Sequence, residues 1–398
     1  MSPQQVRMPA KDSIDSGGFQ EALKLAAQNA DDVDRRGRFP SEAIEVLRSS
    51  GALAWHVPTN LGGAGMPIDE LADATFELSR RCSATGMIFA MHQIQVASIV
   101  RHKANSTWFD RYLQLLVSQG RLIASATSEV GIGGDLRRSI AALEPASSDA
   151  ADKLQFEKKA STISYGAHAD DLLTTVRRNA KADAGDQVLV LTPMSEMEME
   201  QTGDWDTLGM RGTCSPGFRV KATCLADQVL PIPFATIAAE TVVPVSHILW
   251  SNVWLGLATD AYDRAHKFVG VQAHQKPGTT PPAASGLAKL STRMAEFRAM
   301  VHAATNEYAS LSDDEGRKCL STMGYAIRIN NLKIAASEAA VEACQSALRI
   351  CGFVGYKNGG PYSVGRQLRD AQSAALMIAN DRLLATNAAL LSVCRDSR

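Results

Sequence analysis

Three short segments of the chain contain the residue types that a ligand site would need. Residues 126–135, with the sequence ATSEVGIGGD, combine two hydroxyls, two carboxylates and three glycines. Residues 208–220 (LGMRGTCSPGFRV) and residues 347–371 (ALRICGFVGYKNGGPYSVGRQLRDA) combine glycines with arginines and hydroxyls. Because glycine lets the backbone approach a ligand closely and hydroxyls can hydrogen-bond to it, these segments are candidate sites.

Taken singly, none of the three segments identifies a ligand. The first lacks the GxGxxG and GxxxxGKS/T patterns, and no strand–loop–helix unit surrounds it, so a phosphate cradle is a weak interpretation. Its plain alternative is a glycine-rich connection whose Ser and Asp side chains cap turns. The second is typical of a loop between strands. The third is typical of a helix that stops at glycine and is followed by an ion pair.

The composition is that of a globular protein. Hydrophobic residues make up 45% and charged residues 21% of 398 positions, and the formal net charge is −1. This balance argues against nucleic acid or an anionic membrane as a partner. There is no apolar run of about 18 residues and no signal-peptide core at the start, so we expect a cytoplasmic location. The seven scattered cysteines contain no CxxC pair, which predicts reduced thiols and no metal site.

Both ends of the chain have helical patterns. Residues 19–102 predict a helical N-terminal unit. Apolar residues step by three and four over residues 287–308 and again over residues 332–351, which predicts long helices in an antiparallel bundle. Loops are predicted at residues 276–286 and 310–318, where Pro, Gly, Ser and Asp are frequent.

The middle of the chain has a different pattern. Between about residues 121 and 230, short apolar or β-branched runs at residues 172–178, 187–194 and 217–226 are separated by polar and glycine-containing breaks. The sequence therefore predicts a compact β unit between two helical units.

In this order and spacing, the segments resemble motifs of the acyl-CoA dehydrogenase family of flavoproteins. ATSEVGIGGD is similar to the family's TEPxAGSD segment, KKASTISYGAHAD (residues 158–170) to KxWITNxxxAD, and LGMRGTCS to LGxRGTxS. CGFVGY with SVGRQLRDA resembles the ending GGxGY and VxRxxRDA, and residues 34–66 resemble the N-terminal helix pair with its glycine-rich loop. Because the motifs are in register over most of the chain, it is identified as a member of this family.

The resemblance implies an α+β, mostly α architecture. It consists of an N-terminal α-helical domain over residues 1–120, a central β-barrel-like domain over residues 121–240 and a C-terminal four-helix bundle over residues 241–398. FAD, with FMN as the alternative, would lie between the β domain and the bundle of a homo-oligomer, a dimer or homotetramer. The implied partners are a small-molecule thioester and an electron-transfer partner or flavin reductase, with no nucleic acid and no membrane.

The resemblance also assigns flavin contacts. Ser128 falls on the family's threonine whose hydroxyl lies beside the flavin ring, and Ser164 falls on the small hydroxyl residue of the WIT motif. Ala126 and Gly133 would shape the same site. A short hydroxyl there can hydrogen-bond a ring atom and stabilise charge that develops on the reduced flavin.

The resemblance assigns two further contacts near the FAD diphosphate, and the chain differs from the family pattern at three places in the expected cofactor site. Gly352 falls on the first glycine of the pair near the FAD diphosphate, and Arg366 lies in the flanking motif. The second glycine of that pair is Phe353 here, and Thr162 replaces the aromatic residue that commonly stacks on the flavin. Residues 271–278 (VQAHQKPG) lack the arginine that the family's RxxFGxPI pattern supplies for an FAD phosphate.

The largest departure is the missing catalytic carboxylate. Ile378 occupies the position at which the family usually carries its catalytic glutamate, and Ser246 occupies the position that some members use instead. Removal of the proton α to a thioester carbonyl needs a general base, which typically contributes about 10²–10⁴-fold to the rate. Neither residue can supply one, so the identity of the catalytic residue is open, with Ser128 and His92 as candidates.

Substitute bases are few. His92, in FAMHQIQ, is expected near the substrate cavity, although a buried structural histidine is an equal alternative. His168 and His247 are further candidates without a predicted position. Asp381 is the nearest carboxylate to Ile378 in sequence, and a helix-capping or surface role suits it better.

Three functions follow from the resemblance and its departures. The first is an FAD-dependent oxidoreductase of the acyl-CoA dehydrogenase type, acting on CH–CH groups of an acyl or aryl-acyl thioester. The second is a flavin-dependent monooxygenase on the same fold, using reduced flavin and O₂, which needs no carboxylate at the dehydrogenase position. The third, a nucleic-acid-binding or structural relative without turnover, is disfavoured by the balanced charge.

Overall fold

The chain folds in the order helices, strands, helices. The structure, a computed structural model, describes residues 14–146, 153–311 and 314–394. Two small sheets lie in sequence between a helical N-terminal part and a set of long C-terminal helices. The predicted mostly α architecture with a central β domain is therefore confirmed.

The N-terminal helices are α1 (Gly17–Arg36), α2 (Ser41–Ser49), α3 (Ile68–Arg81), α4 (Ser83–His102) and α5 (Thr107–Gln119). Ser16 caps α1, because its Oγ accepts a hydrogen bond from the backbone N–H of Phe19 at 3.4 Å, and Gly37 ends it with φ of +60°. Helix α4 is buried along nearly its whole length, so it forms the centre of this part. The predicted helical N-terminal unit is confirmed.

The strands are β1 (Ile123–Ala126), β2 (Glu144–Pro145), β3 (Lys153–Ala160), β4 (Asp171–Arg177), β5 (Gln187–Pro193), β6 (Met197–Gln201) and β7 (Phe218–Leu225). One sheet has the order β1-β4-β5, with β1 parallel to β4, and the other is antiparallel with the order β2-β3-β7-β6. The three strands predicted from apolar runs are β4, β5 and β7. Strand β1 is mostly buried, and its last residue, Ala126, is the first residue of the hydroxyl- and glycine-rich segment.

The C-terminal helices are α6 (Phe234–Ile237), α7 (Val243–Gln275), α8 (Ala284–Ser310), α9 (Asp314–Leu320), α10 (Met323–Cys351), α11 (Phe353–Tyr356), α12 (Gly365–Gln372) and α13 (Asn380–Leu391). Helix α7 packs against α10, α3 and α8. The long helices predicted over residues 287–308 and 332–351 are confirmed as α8 and α10. The prediction of a loop over residues 310–318 is wrong in part, because α9 begins at Asp314 and its DEGRKCL sequence lacks a helix breaker other than one glycine.

One helical stretch in the described part of the chain is long and apolar enough to cross a membrane, namely Phe234–Gln275. Its apolar window is 89% buried inside the protein. Its apolarity is therefore explained by packing in the core, where it contacts helices on several sides.

A buried carboxylate joins the N-terminal helices to the first sheet. Asp171, at the start of β4, is fully buried and accepts two hydrogen bonds from the Arg121 guanidinium at 2.7 and 2.6 Å. The Tyr112 hydroxyl on α5 donates a third at 2.7 Å, and burial keeps the pKa of Tyr112 well above its usual value. Bidentate geometry with a further donor satisfies this carboxylate and fixes the helix–sheet junction.

We predict that Asp171→Asn destabilises the fold strongly. The substitution leaves the Arg121 guanidinium without its charge partner, and breaking a buried pair in this way costs about 3 kcal/mol or more. Urea unfolding should show this loss, whereas Glu157→Gln, which breaks the exposed Arg219–Glu157 pair between β7 and β3, should leave the midpoint unchanged. Equal midpoints for the two variants would contradict the assignment.

Candidate functional site

Ser128 joins two loops at the end of the first sheet. It follows β1, is half-buried, and donates a hydrogen bond from Oγ to the carbonyl of Thr162 at 2.8 Å. The same Oγ accepts a hydrogen bond from the backbone N–H of Thr162 at 3.1 Å. This reciprocal pair sets the loop after β1 directly beside the loop after β3, with the Thr162 side chain exposed.

Glu129 anchors the segment beside Ser128. Its carboxylate is nearly buried and accepts hydrogen bonds from the Ser139 hydroxyl at 2.8 Å and from the backbone N–H groups of Ile140 and Ala141 at 3.0 and 2.8 Å. The two ends of the loop over residues 129–141 are therefore joined through the Glu129 carboxylate. Since Ser128 precedes this anchor by one residue, the position of its hydroxyl follows from the burial of Glu129.

Lys158 neutralises that buried carboxylate. Its Nζ, on the inward face of β3, lies 3.5 Å from Glu129 Oε2 and donates to the carbonyl and the hydroxyl of Thr175 on β4 at 2.7 and 2.9 Å. Burial lowers the pKa of Lys158 to about 8, and the Glu129 charge opposes that shift. The ion pair therefore links the loop to both sheets, since β3 and β4 belong to different ones.

Hydrogen-bonded hydroxyls connect the loop after β3 to the second glycine-containing segment, residues 208–220. Ser164, half-buried, accepts a hydrogen bond from the Ser215 hydroxyl at 2.9 Å, and Ser215 in turn lies 2.9 Å from the Thr213 hydroxyl. Thr213 Oγ1 donates to the carbonyl of Met210 at 2.8 Å. The structure thus brings the predicted Ser164 together with two hydroxyls of residues 208–220.

Strained backbone is concentrated at this meeting point. Tyr165, Met210 and Cys214 have φ values of +45°, +51° and +42°, a region that residues other than glycine rarely adopt. The surroundings hold this conformation, because the Tyr165 N–H donates to the carbonyl of Thr213 at 2.7 Å and its hydroxyl donates to the carbonyl of Ile123 at 2.9 Å. Strain that the fold holds in place in this way is typical of functional sites.

The glycines of the first segment form an exposed turn. Gly131, Gly133 and Gly134 all have positive φ, and the space beside Gly133 is open, with no atom within 4 Å of the place that a Cβ would occupy. The carbonyl of Gly133 accepts a hydrogen bond from Arg382 in the first turn of α13. Ala126, by contrast, is fully buried, so it shapes the site only through the strand end that it forms.

The position of Ile378 is held by a buried lysine. Ile378 has φ of +45°, unusual for a β-branched residue, and its carbonyl accepts a hydrogen bond from Lys333 Nζ at 2.9 Å. The same ammonium donates to Asn380 Oδ1 at 2.7 Å and lies 5.8 Å from the centre of the Trp254 ring. Burial lowers the pKa of Lys333 to about 8. A cation therefore lies beside this position.

The other expected base positions supply no buried carboxylate. Ser246 is buried, and its hydroxyl donates to the carbonyl of Val243 at 2.9 Å. Asp381 is exposed in the first turn of α13, where a negative charge suits the helix dipole. His168 is exposed and stacks on Phe39 with ring centres 4.2 Å apart.

His92 has a structural role, which corrects its assignment as a candidate base. Its Nε2 lies 2.7 Å from the carbonyl of Leu53, and its Nδ1 accepts a hydrogen bond from the backbone N–H of Ile123 at 3.0 Å. Burial lowers the pKa of His92 to about 4, so the ring is neutral. With both nitrogens bound to the backbone, His92 ties α4 to β1 and has no lone pair left for a substrate.

The two residues expected at the diphosphate lie at helix ends. Arg366 is buried and pairs with Asp31 at 3.2 Å and with Asp260 at 3.6 Å, so it joins α12 to α1 and α7 rather than presenting a free guanidinium. Gly352, with φ of +59°, ends α10. At 1.5 Å per residue it lies about 28 Å along that helix from Lys333, which binds the Ile378 carbonyl, so within one chain it is remote from that turn.

Sequence reasoning overlooked two buried lysines, although their positions carried a signal. Lys158 follows the inward alternation of β3, which places it between Phe156 and Ala160. Lys333 falls on the buried stripe of α10 that Ile329 and Ala340 continue. A lysine on an apolar face is the kind of local conflict that marks a special site.

The chain is similar to members of one protein family along most of its length. The models of the acyl-CoA dehydrogenase N-terminal and C-terminal domains match residues 20–120 and 238–378. L-evernosamine nitrososynthase of Micromonospora sp. is 25% identical over 373 residues, which cover 89% of this chain and 83% of that protein. The mitochondrial short-chain specific acyl-CoA dehydrogenase of Sus scrofa is 25% identical over 363 residues, which cover 88% of this chain and 81% of that protein.

A solved structure has the same fold. TdsC, a dibenzothiophene monooxygenase from Paenibacillus sp. A11-2, was solved with FMN and indole. It matches with a TM-score of 0.80 at 19% identity, covering 96% of each chain. At this identity the likeness concerns the fold alone.

We predict that Glu129→Gln loosens the loop that follows Ser128. The amide N–H group of the new side chain points at hydrogen-bond donors that contact the carboxylate in the wild-type protein. The substitution also leaves Lys158 without its counter-charge. Because an unsatisfied buried partner costs about 1–3 kcal/mol, hydrogen exchange of residues 130–141 should accelerate about tenfold or more. Glu144→Gln, an exposed neutralisation on β2, is the matched control. Unchanged protection in Glu129→Gln would rule out the anchor.

Proposed function

The chain belongs to the acyl-CoA dehydrogenase family of flavoproteins, and from this premise we propose that it is a flavin-dependent monooxygenase. The observation that carries the proposal is the Lys333 ammonium bound to the carbonyl of Ile378. Where the family usually carries its catalytic glutamate, this chain has an aliphatic side chain with a buried cation beside it.

Dehydrogenation of a thioester lacks its base in this arrangement. Ser246 is hydrogen-bonded within its own helix, Asp381 faces solvent and His92 is saturated by backbone contacts. The remaining candidate, His247, is a poor base, because burial lowers its pKa to about 3. A general base must lie within hydrogen-bond reach of the proton that it removes and must be basic enough to take it, and none of these groups combines a buried free lone pair with that basicity. Oxygenation does not require a carboxylate at that position.

The donor set beside β1 suits a flavin ring. Ser128 and Ser164 are both half-buried hydroxyls on strained or glycine-rich loops, and the open turn at Gly133 leaves room for a ligand. Bound flavin supplies two-electron transfer and the activation of O₂. The role of these residues is to orient the ring, to hydrogen-bond its polar edge and to exclude water from one side.

The diphosphate region favours FMN over FAD. Phe353 replaces a glycine, and its side chain is 71% exposed, where it would obstruct a close approach of phosphate to the backbone. Residues 271–278 also lack the expected arginine. TdsC, a monooxygenase of the same fold, was solved with FMN. A soluble homo-oligomer supplied with reduced flavin by a reductase completes the proposal.

The test is reduction of the bound flavin without oxygen. The protein reconstituted with FMN should keep its yellow colour under an acyl-CoA panel and lose it when NADH and a flavin reductase are added. Bleaching by an acyl-CoA alone would favour dehydrogenation instead. A purified chain that takes up neither FMN nor FAD would overturn both.

We predict that Phe353→Gly changes the choice of cofactor. Removal of the ring lets the backbone approach a phosphate, so FAD affinity should rise about tenfold, equivalent to about 1.4 kcal/mol, while FMN affinity stays the same. Titration with quenching of flavin fluorescence measures both. Val354→Gly, at the adjacent half-exposed residue of α11, controls for loss of helix propensity. A parallel rise for both flavins would contradict discrimination by Phe353.

A further inference from the structure

The facing sides of α7 and α10 enclose polar atoms without partners. His247, Trp250 and Trp254 follow one another at helical spacing on α7, and all three are buried. Among the described residues, His247 Nε2, Trp250 Nε1 and Trp254 Nε1 have no hydrogen-bond partner. Buried polar atoms are nearly always satisfied, so three neighbouring exceptions point to a group that the chain itself does not provide.

The hydrogen bond of His247 defines which kind of group is missing. Its Nδ1 lies 3.1 Å from the carbonyl of Ile329 on α10. A carbonyl can only accept, so Nδ1 carries the proton and donates it. Burial, and to a smaller extent the Lys333 charge, lowers the pKa of His247 to about 3, so the ring is neutral. Nε2 is therefore a bare acceptor lone pair in the interior.

This lone pair is close in the fold to both positions that the family resemblance assigns to a carboxylate, because Ser246 is its neighbour in the chain and the Lys333 charge acts on His247. Ser246 adjoins His247 in sequence, and Ile378 is bound to Lys333, whose ammonium lies 5.8 Å from the centre of the Trp254 ring. The His247 and Trp250 rings are 6.1 Å apart, which places an aromatic wall beside the acceptor. The surroundings thus offer a neutral acceptor, indole faces and indole N–H donors.

We propose that His247 Nε2 accepts a hydrogen bond from the substrate, and that the substrate presents an N–H or O–H group to it. The inference rests on the proposed function, since it names the class of molecule that is oxygenated. A site with a buried acceptor rejects the analogue that lacks the donor, because the acceptor is then left unpaired. His247 is a binding residue here, and Lys333 positions the turn that carries Ile378.

The first arm of the test compares isosteric ligands on the wild-type protein reconstituted with FMN. Indole and benzothiophene differ in N–H against sulfur, and 2-naphthol and naphthalene differ in the presence of O–H. Calorimetric titration should show that the donor-bearing member of at least one pair binds about tenfold more tightly. No preference in either pair, or no binding of any of the four, overturns the inference. The same result is expected if a water molecule is the sole partner of Nε2.

The second arm separates the acceptor from the structural bond of the same ring. His247→Asn places an amide N–H where Nδ1 lies, so it keeps the donation to Ile329 and removes the acceptor. His247→Gln places an amide oxygen near Nε2 and removes the donation. We expect the preference for the donor-bearing ligand to vanish in His247→Asn and to survive in His247→Gln, whatever the two variants do to stability. Retention of the preference in His247→Asn would overturn the assignment.

Flavin uptake, measured on the same samples, keeps the two proposals apart. A wild-type chain that binds FMN but shows no donor preference refutes the role of His247 and leaves the monooxygenase proposal standing. A chain that takes up no flavin refutes the proposed function. The same ligand titrations on the flavin-free protein then test only whether His247 binds donor-bearing ligands.

Discussion

The site depends on one buried ion pair, between Glu129 and Lys158. The carboxylate gathers the backbone of residues 139–141, and the ammonium is held by Thr175 of the other sheet, so one pair of charges joins a loop and two sheets. Ion pairs of this kind add little net stability, since desolvation offsets their attraction, but breaking one leaves a charge without a partner. What the pair provides is a single position for the loop, and hence for the Ser128 hydroxyl.

A second buried lysine orders the turn that precedes α13. Lys333 holds the turn at Ile378 in a backbone conformation that a β-branched residue rarely adopts, and the loops around Ser164 hold three more such residues. Packing and hydrogen bonds from distant parts of the chain maintain these conformations. Strained residues therefore lie both in the loops around Ser164 and in the turn at Ile378, and strain that the fold maintains is typical of functional sites.

Much of the fold could be predicted from the sequence, because the helices and strands follow from local patterns of apolar residues. The spacing of three and four along α8 and α10, and the apolar runs of β4, β5 and β7, identified these elements directly. The site could be predicted only in part. Ser128 and Ser164 came from motif resemblance, whereas the saturation of His92 by Leu53 and Ile123 depends on contacts 39 and 31 residues apart that no local pattern reveals. Lys158 and Lys333 were overlooked because lysine is usually a surface residue.

The proposed function requires that this fold performs oxygenation without the catalytic glutamate that the family usually carries at the position of Ile378. The most direct measurement is isotopic: the protein with FMN, NADH and a flavin reductase is incubated under ¹⁸O₂ with indole, dibenzothiophene and an acyl-CoA panel, and the products are analysed by mass spectrometry. We expect one ¹⁸O atom per turnover in a product formed from a ligand other than the thioesters. An unlabelled acyl-CoA that has lost two hydrogens would contradict the proposed function.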